Sequence, residues 1–260
     1  MSSNLRNRTD KQNTKTREES EDLPSIINGK PYPDITRNPL HEVTLTSLFL
    51  GTLMGLSIGL LPVLTFKSFN IYIFSFALFH FLEFYVTAKY NPGKVHSDSF
   101  ILKNGISYTL AHALGVFECL IESYFFQDLK STSNKTFQKY LSIIGLFLVI
   151  MGQSIRFISM KTAGKSFSHL LKTEKEDDHT LVTDGIYSVF RHPSYLGFFW
   201  WAVGTQILLL NPISTCIFVY VLWNFFSKRI KIEEKYLIEF FGEDYVNYKK
   251  NVYTWIPFIN

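Results

Sequence analysis

The chain has 260 residues and a mass of 30.2 kDa, with 47% hydrophobic and 17% aromatic side chains, 25 Phe and only 18% charged residues. That composition excludes a disordered or collagen-like chain, and a 24-residue stretch from Val43 to Phe66 without Asp, Glu, Lys or Arg argues against a purely soluble domain. The net charge of +4 comes from Lys and Arg scattered through loops, which excludes nucleic acid as a partner, and the two cysteines, Cys119 and Cys216, lie in apolar runs that hold no disulfide framework or CxxC motif.

Residues 1–40 carry seven basic and six acidic side chains among Asn, Ser and Thr, with almost no large apolar residue before Leu23, so a disordered cytosolic tail is expected there. The tail has no apolar h-region, and the first span is expected to act as its own insertion signal. That span, about 43–64, carries Gly51, Gly55 and Gly59 on one face, a small-xxx-small pattern suited to close helix packing. Packing inside the protein is the expectation, with a homodimer contact as the alternative. Spans at about 69–88, 105–126 and 140–160 follow.

From His192 to Ser227 there are 36 residues without Asp, Glu, Lys or Arg. One helix of that length would be about 54 Å long at ~1.5 Å per residue, against a hydrocarbon core of ~30 Å. Asn211-Pro212 sits near the middle, so two short arms joined by a tight turn are predicted. The fold class is therefore an all-α integral membrane protein of about six transmembrane helices, the last two a short helical hairpin. It divides into the tail (1–40), the first four helices (41–160), and a connector, hairpin and C-terminal segment (161–260).

With six crossings the two ends share a side, and the loops and tails on that side hold 21 of the 26 Lys and Arg. The positive-inside rule then puts both termini in the cytosol. Asn134-Lys135-Thr136 becomes a lumenal sequon, close to the membrane.

Ionisable groups inside spans are costly unless paired or facing water. Glu118 and Glu122, one helical turn apart, read best as structural groups that hydrogen-bond across helices. His80 with Glu83 reads equally as a packing pair or a site, and His112 stays open between the two. Beyond Arg156 the polar residues cluster where the short helices meet water. His192 precedes Pro193, which by itself describes a proline-started helix with a basic interface anchor. Arg229 and Glu233, at i and i+4, share a helix face at the membrane surface, where a guanidinium fork and a neighbouring acid beside an amphipathic groove would suit a substrate with an anionic head and a greasy tail.

The run from Arg191 to Gln206 (RHPSYLGFFWWAVGTQ), the Asn211-Pro212 turn, and Arg229, Glu233-Glu234 and Phe240-Phe-Gly-Glu-Asp-Tyr245 closely resemble the isoprenylcysteine carboxyl methyltransferases. The segment from His179 to Tyr187, with Arg156, Thr162-Ala-Gly164 and Phe167-Ser-His169, extends the resemblance over most of the chain from about residue 40, and its fungal pheromone-processing type is the nearest in character. RHPxY with a later EE also occurs in other membrane methyltransferases and in sterol reductases, so the long contiguous match carries the weight.

The resemblance implies S-adenosylmethionine-dependent methyl esterification of a farnesylated or geranylgeranylated C-terminal cysteine, on CAAX-processed proteins and pheromone precursors, at a cytosol-facing pocket in the endoplasmic reticulum membrane. Carried over by motif, the cofactor pocket comprises Lys172, His179, Thr180, Leu181, Val182, Tyr187, His192, Pro193, Ser194, Tyr195 and Glu233. Arg229 would hold the substrate carboxylate, and Arg229, Glu233 and Arg156 would form the catalytic set. No GxGxxG follows a strand, which sets the chain apart from Rossmann-type methyltransferases. The alternatives are a phospholipid N-methyltransferase with a similar hairpin, and a non-catalytic multispan receptor or transporter; the transporter lacks evident inverted repeats.

Overall fold

The structure is a computed structural model that describes residues 25–27, 30–32, 38–63, 66–130, 136–175 and 179–259. Most of the stretch expected to be a disordered tail, and the Asn134 sequon, lie outside the described residues. Within that stretch, however, β1 (Ser25–Ile27) pairs antiparallel with β2 (Lys30–Tyr32), Ile27 opposite Lys30. Two residues, Asn28 and Gly29, separate the strands, and Asn-Gly is a strong hairpin sequence. This short ladder departs from the expectation of disorder up to residue 40 and is a small exception to the all-α class.

The long helices are α1 (Leu40–Leu60), α2 (Lys67–Tyr90), α3 (Ile106–Phe125), α4 (Thr136–Ala163), α5 (Pro193–Leu208), α6 (Pro212–Phe241) and α7 (Glu243–Asn251), with single helical turns between them, one at Gln127–Lys130, and an irregular connector before α5. Three of these, α1, α2 and α4 with its 3-10 extension, are long and apolar enough to cross a membrane by length and composition. The chain is a multi-pass membrane protein. Pro193 and Pro212 each stand in the first turn of their helix, where a missing N–H costs nothing, and the two arms of the expected hairpin meet across Leu209–Asn211. The second arm does not stop at the apolar boundary; α6 continues through Arg229 and Glu233 for 30 residues in all.

The hairpin turn is held by opposite charges from α3 and the turn after it. The Glu118 carboxylate accepts from the backbone N–H groups of Ile213 (2.8 Å) and Ser214 (2.7 Å), two of the orphan donors at the start of α6. Lys130 Nζ donates to the carbonyls of Leu209 (2.7 Å) and Leu210 (2.9 Å) and to Asn211 Oδ1 (2.7 Å), and pairs with Glu122 at 2.7 Å. Both glutamates thus do structural work across helices.

Glycine packing falls elsewhere than expected. A Cβ at Gly51, Gly55 or Gly59 would meet nothing within 4 Å, so the expectation that this face packs inside the protein fails. The close seam is between α4 and α5. A Cβ on Gly145 would lie 2.2 Å from Leu208 N, on Gly152 2.4 Å from Trp201 N, and on Gly197 2.6 Å from Arg156 N. Trp201 stacks on Phe79 of α2 with centroids 4.0 Å apart, which ties the seam to the rest of the bundle.

Candidate functional site

At the end of the hairpin opposite its turn, the start of α5, the connector and the charged half of α6 enclose a cleft with about 680 Å³ of open space. Ser166, Phe167 and Ser168 line one side, with His179, Thr180, Leu181 and Val182 beside them. Tyr187 and the turn His192-Pro193-Ser194-Tyr195 form the floor; Glu233, Leu237, Phe241, Tyr245 and Tyr248 close it. Ten of the eleven residues carried over for cofactor binding meet here, and Lys172 lines an adjoining pocket that shares His179 and Glu233.

Local chemistry explains how these segments are held. Ser166 Oγ donates to the Thr180 carbonyl at 3.1 Å and accepts from the Thr180 N–H at 3.2 Å, pinning the two connector strands of the cleft together. The Asn91 amide donates to the Phe167 carbonyl at 3.0 Å. Arg191 donates to Glu234 Oε1 at 2.6 Å and to the carbonyl of Val252, and Lys249 reaches Glu234 Oε2 at 2.5 Å, so one buried carboxylate gathers α5, α6 and α7. Burial by itself would raise the Glu234 pKa, but hydrogen bonds from His192 and Lys249 and the charges of His192 and Arg191 outweigh it and hold it at about 2. His192 Nε2 is committed to the same carboxylate at 3.1 Å, and its ring stacks on Tyr195. Burial pushes the phenols of Tyr187, Tyr245 and Tyr248 above their usual range, so they remain protonated donors.

Arg229 and Glu233 do share a face of α6, and the Tyr195 hydroxyl stands between them. It accepts from Arg229 Nε at 2.8 Å and donates to Glu233 Oε2. Arg229 Nη2 donates to the His169 carbonyl at 2.7 Å. Of the expected catalytic set only Glu233 lines the cleft; Arg229 and Arg156 are not among its lining residues. The Arg156 guanidinium grips Glu83 in a bidentate pair, at 2.7 and 2.9 Å, and gives its remaining arm to Ser194 Oγ at 2.7 Å. Glu83 also accepts from His169 Nε2 at 2.8 Å. His80 has different partners: the Phe100 carbonyl can only accept, so Nδ1 donates to it at 2.7 Å and Nε2 accepts from the Tyr108 hydroxyl at 3.0 Å. His80 is a packing residue, separate from Glu83.

A second cavity lies between α3, α5 and α6, lined by Tyr108, His112, Phe198, Phe218, Leu222 and Phe225 among others, and it is almost wholly apolar. Phe225 and Val221 of its lining are exposed, so the cavity reaches the outer surface of the helices. Phe225 also carries the Arg229 guanidinium over its ring, 5.9 Å from the centroid, so a cation lies beside one lining residue of this apolar cavity. The cleft lining contributed by Ser166, Leu237, Tyr245 and Tyr248 was not expected from the sequence; of these only Tyr245, in the motif ending Glu-Asp-Tyr, gave a signal.

These features define a class: a multi-pass membrane protein with a polar cleft and a separate apolar cavity, linked through the contacts of Arg229. The model for the isoprenylcysteine carboxyl methyltransferase family matches residues 143–239. The chain is 60% identical to the protein-S-isoprenylcysteine O-methyltransferase of Saccharomyces cerevisiae, over 88% of this chain and 95% of that protein. It is 45% identical to that of Xenopus laevis (85% and 75%) and 41% identical to that of Homo sapiens (86% and 77%). A solved structure of the eukaryotic intramembrane Ras methyltransferase, isoprenylcysteine carboxyl methyltransferase, superposes with a TM-score of 0.79 at 40% identity, covering 84% of this chain and 77% of that one. The chain belongs to the isoprenylcysteine carboxyl methyltransferase family of enzymes.

Proposed function

We propose that this chain transfers a methyl group from S-adenosylmethionine to the terminal carboxylate of an S-prenylated cysteine, on CAAX-processed proteins and pheromone precursors. The observation that carries the reading is that Arg229 touches one lining residue of each cavity: its guanidinium lies over the ring of Phe225 from the apolar cavity, and it donates to the hydroxyl of Tyr195 from the cleft, which in turn donates to Glu233. A prenyl chain fits the apolar cavity, and the fork of Arg229 fits the carboxylate at its head.

The cleft suits an adenosyl amino acid by the chemistry of its lining. Leu181, Val182, Leu237 and Phe241 offer apolar faces for a purine, Thr180, Tyr187 and Tyr195 offer hydroxyls, and Glu233 offers a negative charge to a cationic centre. When bound, S-adenosylmethionine supplies an electrophilic methyl group on a positively charged sulfur. The acceptor carboxylate, with an ordinary pKa of about 3.5, is already ionised and needs no general base. The residues of the chain therefore work by position. Arg229 orients the carboxylate, Tyr195 ties Arg229 to Glu233, and Phe225 and the surrounding apolar walls exclude water that would dull the nucleophile. Arg156 acts as a brace through Glu83 and Ser194.

In this reading all of α1–α6 cross the endoplasmic reticulum membrane, both termini face the cytosol, and the cleft lies on that side, in keeping with the distribution of Lys and Arg. The open Gly51, Gly55 and Gly59 face of α1 is the surface on which a second copy would pack. A phospholipid amine as acceptor is disfavoured, because the guanidinium beside the apolar cavity repels a cationic head.

Reconstituted protein with methyl-labelled S-adenosylmethionine should place base-labile label on N-acetyl-S-farnesylcysteine and none on phosphatidylethanolamine. Label on the phospholipid, or on neither from folded protein, would reject the proposal.

A further inference from the structure

Glu83 lies on α2, the helix of the first pair that faces α4, and is almost fully buried at 1% exposure. A carboxylate in such a place needs several partners to offset its desolvation. Glu83 has two kinds: Arg156 takes both oxygens, and His169 Nε2 takes Oε2 at 2.8 Å. His169 sits in the connector, 86 positions away in sequence, and its carbonyl accepts from Arg229 Nη2 at 2.7 Å.

The same histidine thus faces Glu83 with its ring and Arg229 with its backbone. Arg229 has two described tethers, Tyr195 at Nε and His169 at Nη2. A guanidinium fork must present a fixed plane to grip a carboxylate in two places, and two tethers on different nitrogens fix a plane where one leaves a rotation. Tyr195 belongs to α5, and its ring is packed on Phe226 of α6 with centroids 5.1 Å apart. The His169 carbonyl belongs to an irregular segment, and the bond to Glu83 is what fastens its ring to the bundle.

We propose that Glu83 and His169 are positioning residues for Arg229: the buried carboxylate of α2 holds the His169 imidazole, and the His169 carbonyl thereby sets the plane in which Arg229 meets the substrate carboxylate. The inference rests on the reading of Arg229 as the carboxylate clamp. It gives the one acidic residue of α2 a role in substrate use, although that residue lines neither cavity.

The test is a double-mutant cycle on Arg229→Lys and His169→Ala in proteoliposomes, reading KM for N-acetyl-S-farnesylcysteine, kcat, and S-adenosylhomocysteine affinity by calorimetry. His169→Ala should raise KM about tenfold, roughly what one hydrogen bond to a charged group is worth, with S-adenosylhomocysteine affinity within about twofold. In the Arg229→Lys background, where the fork is already lost, the same substitution should add less than about twofold. Additive effects, or an equal loss of cofactor affinity, would show a general structural role and overturn the proposal. If Arg229→Lys itself leaves KM unchanged, the clamp reading fails first and the proposal with it.

Glu83→Gln keeps the shape and should reproduce the His169→Ala pattern. Because that substitution also leaves Arg156 short of its counter-charge, His169→Asn is the companion variant: its ring partner is lost while Glu83 keeps Arg156. A wild-type KM in a folded His169→Asn protein overturns the proposal.

Discussion

At the scale of single residues, the site is organised by side chains that each bind two others. Tyr195 is the clearest: its hydroxyl accepts from Arg229 and donates to Glu233, so it couples the group assigned to the substrate with the group assigned to the cofactor. Tyr195→Phe removes one oxygen and should lower kcat by about tenfold or more, since a hydrogen bond to a charged group is worth ~1.5–3 kcal/mol. Steady-state methylation assays with a circular-dichroism check of folding would show it, and an unchanged kcat would remove Tyr195 from the coupling. Glu234 makes a second prediction. Its pKa is depressed to about 2 from an ordinary 4.5, so the unfolded C-terminal segment binds more protons than the folded one across that interval. The stability it contributes is full above about pH 4.5 and is lost as pH falls through about 2. Protection factors of the amides of residues 249–259, corrected for the intrinsic pH dependence of exchange, should therefore fall on acidification over this range, and Glu234→Gln should flatten that dependence. None of this was legible in the sequence as geometry. The motif resemblance located Tyr195, Glu233 and Arg229, but Glu83 and His169 come together only through folding, one from a span and one from a loop.

At the scale of helices, the hairpin was the most legible element, because a charge-free run too long for one crossing and an Asn-Pro near its middle leave few other solutions. What the sequence concealed was the surface the hairpin packs on. The glycines that meet at the α4 and α5 seam stand seven apart, at 145 and 152 and at 197 and 204, and a search for spacings of four passes over them in favour of Gly51, Gly55 and Gly59. Gly152→Leu would drive a side chain into the backbone at Trp201 and should abolish folded, detergent-stable protein, whereas Gly55→Leu should leave the monomer's melting temperature nearly unchanged. Thermal unfolding monitored by fluorescence separates the two. At the turn, Glu118→Ala removes the acceptor for two N–H groups at the start of α6 and should destabilise the protein by about 1–2 kcal/mol, in the range of a lost helix cap. Melting curves would register it, and no change would mean that water replaces the cap.

At the scale of the molecule, there are two cavities of opposite character, and Arg229 contacts a lining residue of each, Tyr195 of the cleft and Phe225 of the apolar cavity. The polar cleft is closed by α7 and the connector; the apolar cavity between α3, α5 and α6 reaches the outer surface of the helices at Val221 and Phe225. In the proposed function this division answers a physical difficulty, since a prenyl chain and a charged nucleoside would not enter by one route without one of them crossing an unsuitable medium. Composition could announce a membrane protein rich in Phe, but which of the 25 phenylalanines line a channel depends on helix rotation that a single sequence does not carry. The most direct measurement is photolabelling of reconstituted protein with a diazirine-bearing farnesylcysteine in the presence of S-adenosylhomocysteine, followed by peptide mapping. Label confined to α3 and to the Ile217–Phe225 face of α6, and displaced by unlabelled substrate, is the predicted result; displaceable label on α1 or on the outer face of α4 instead would contradict the account.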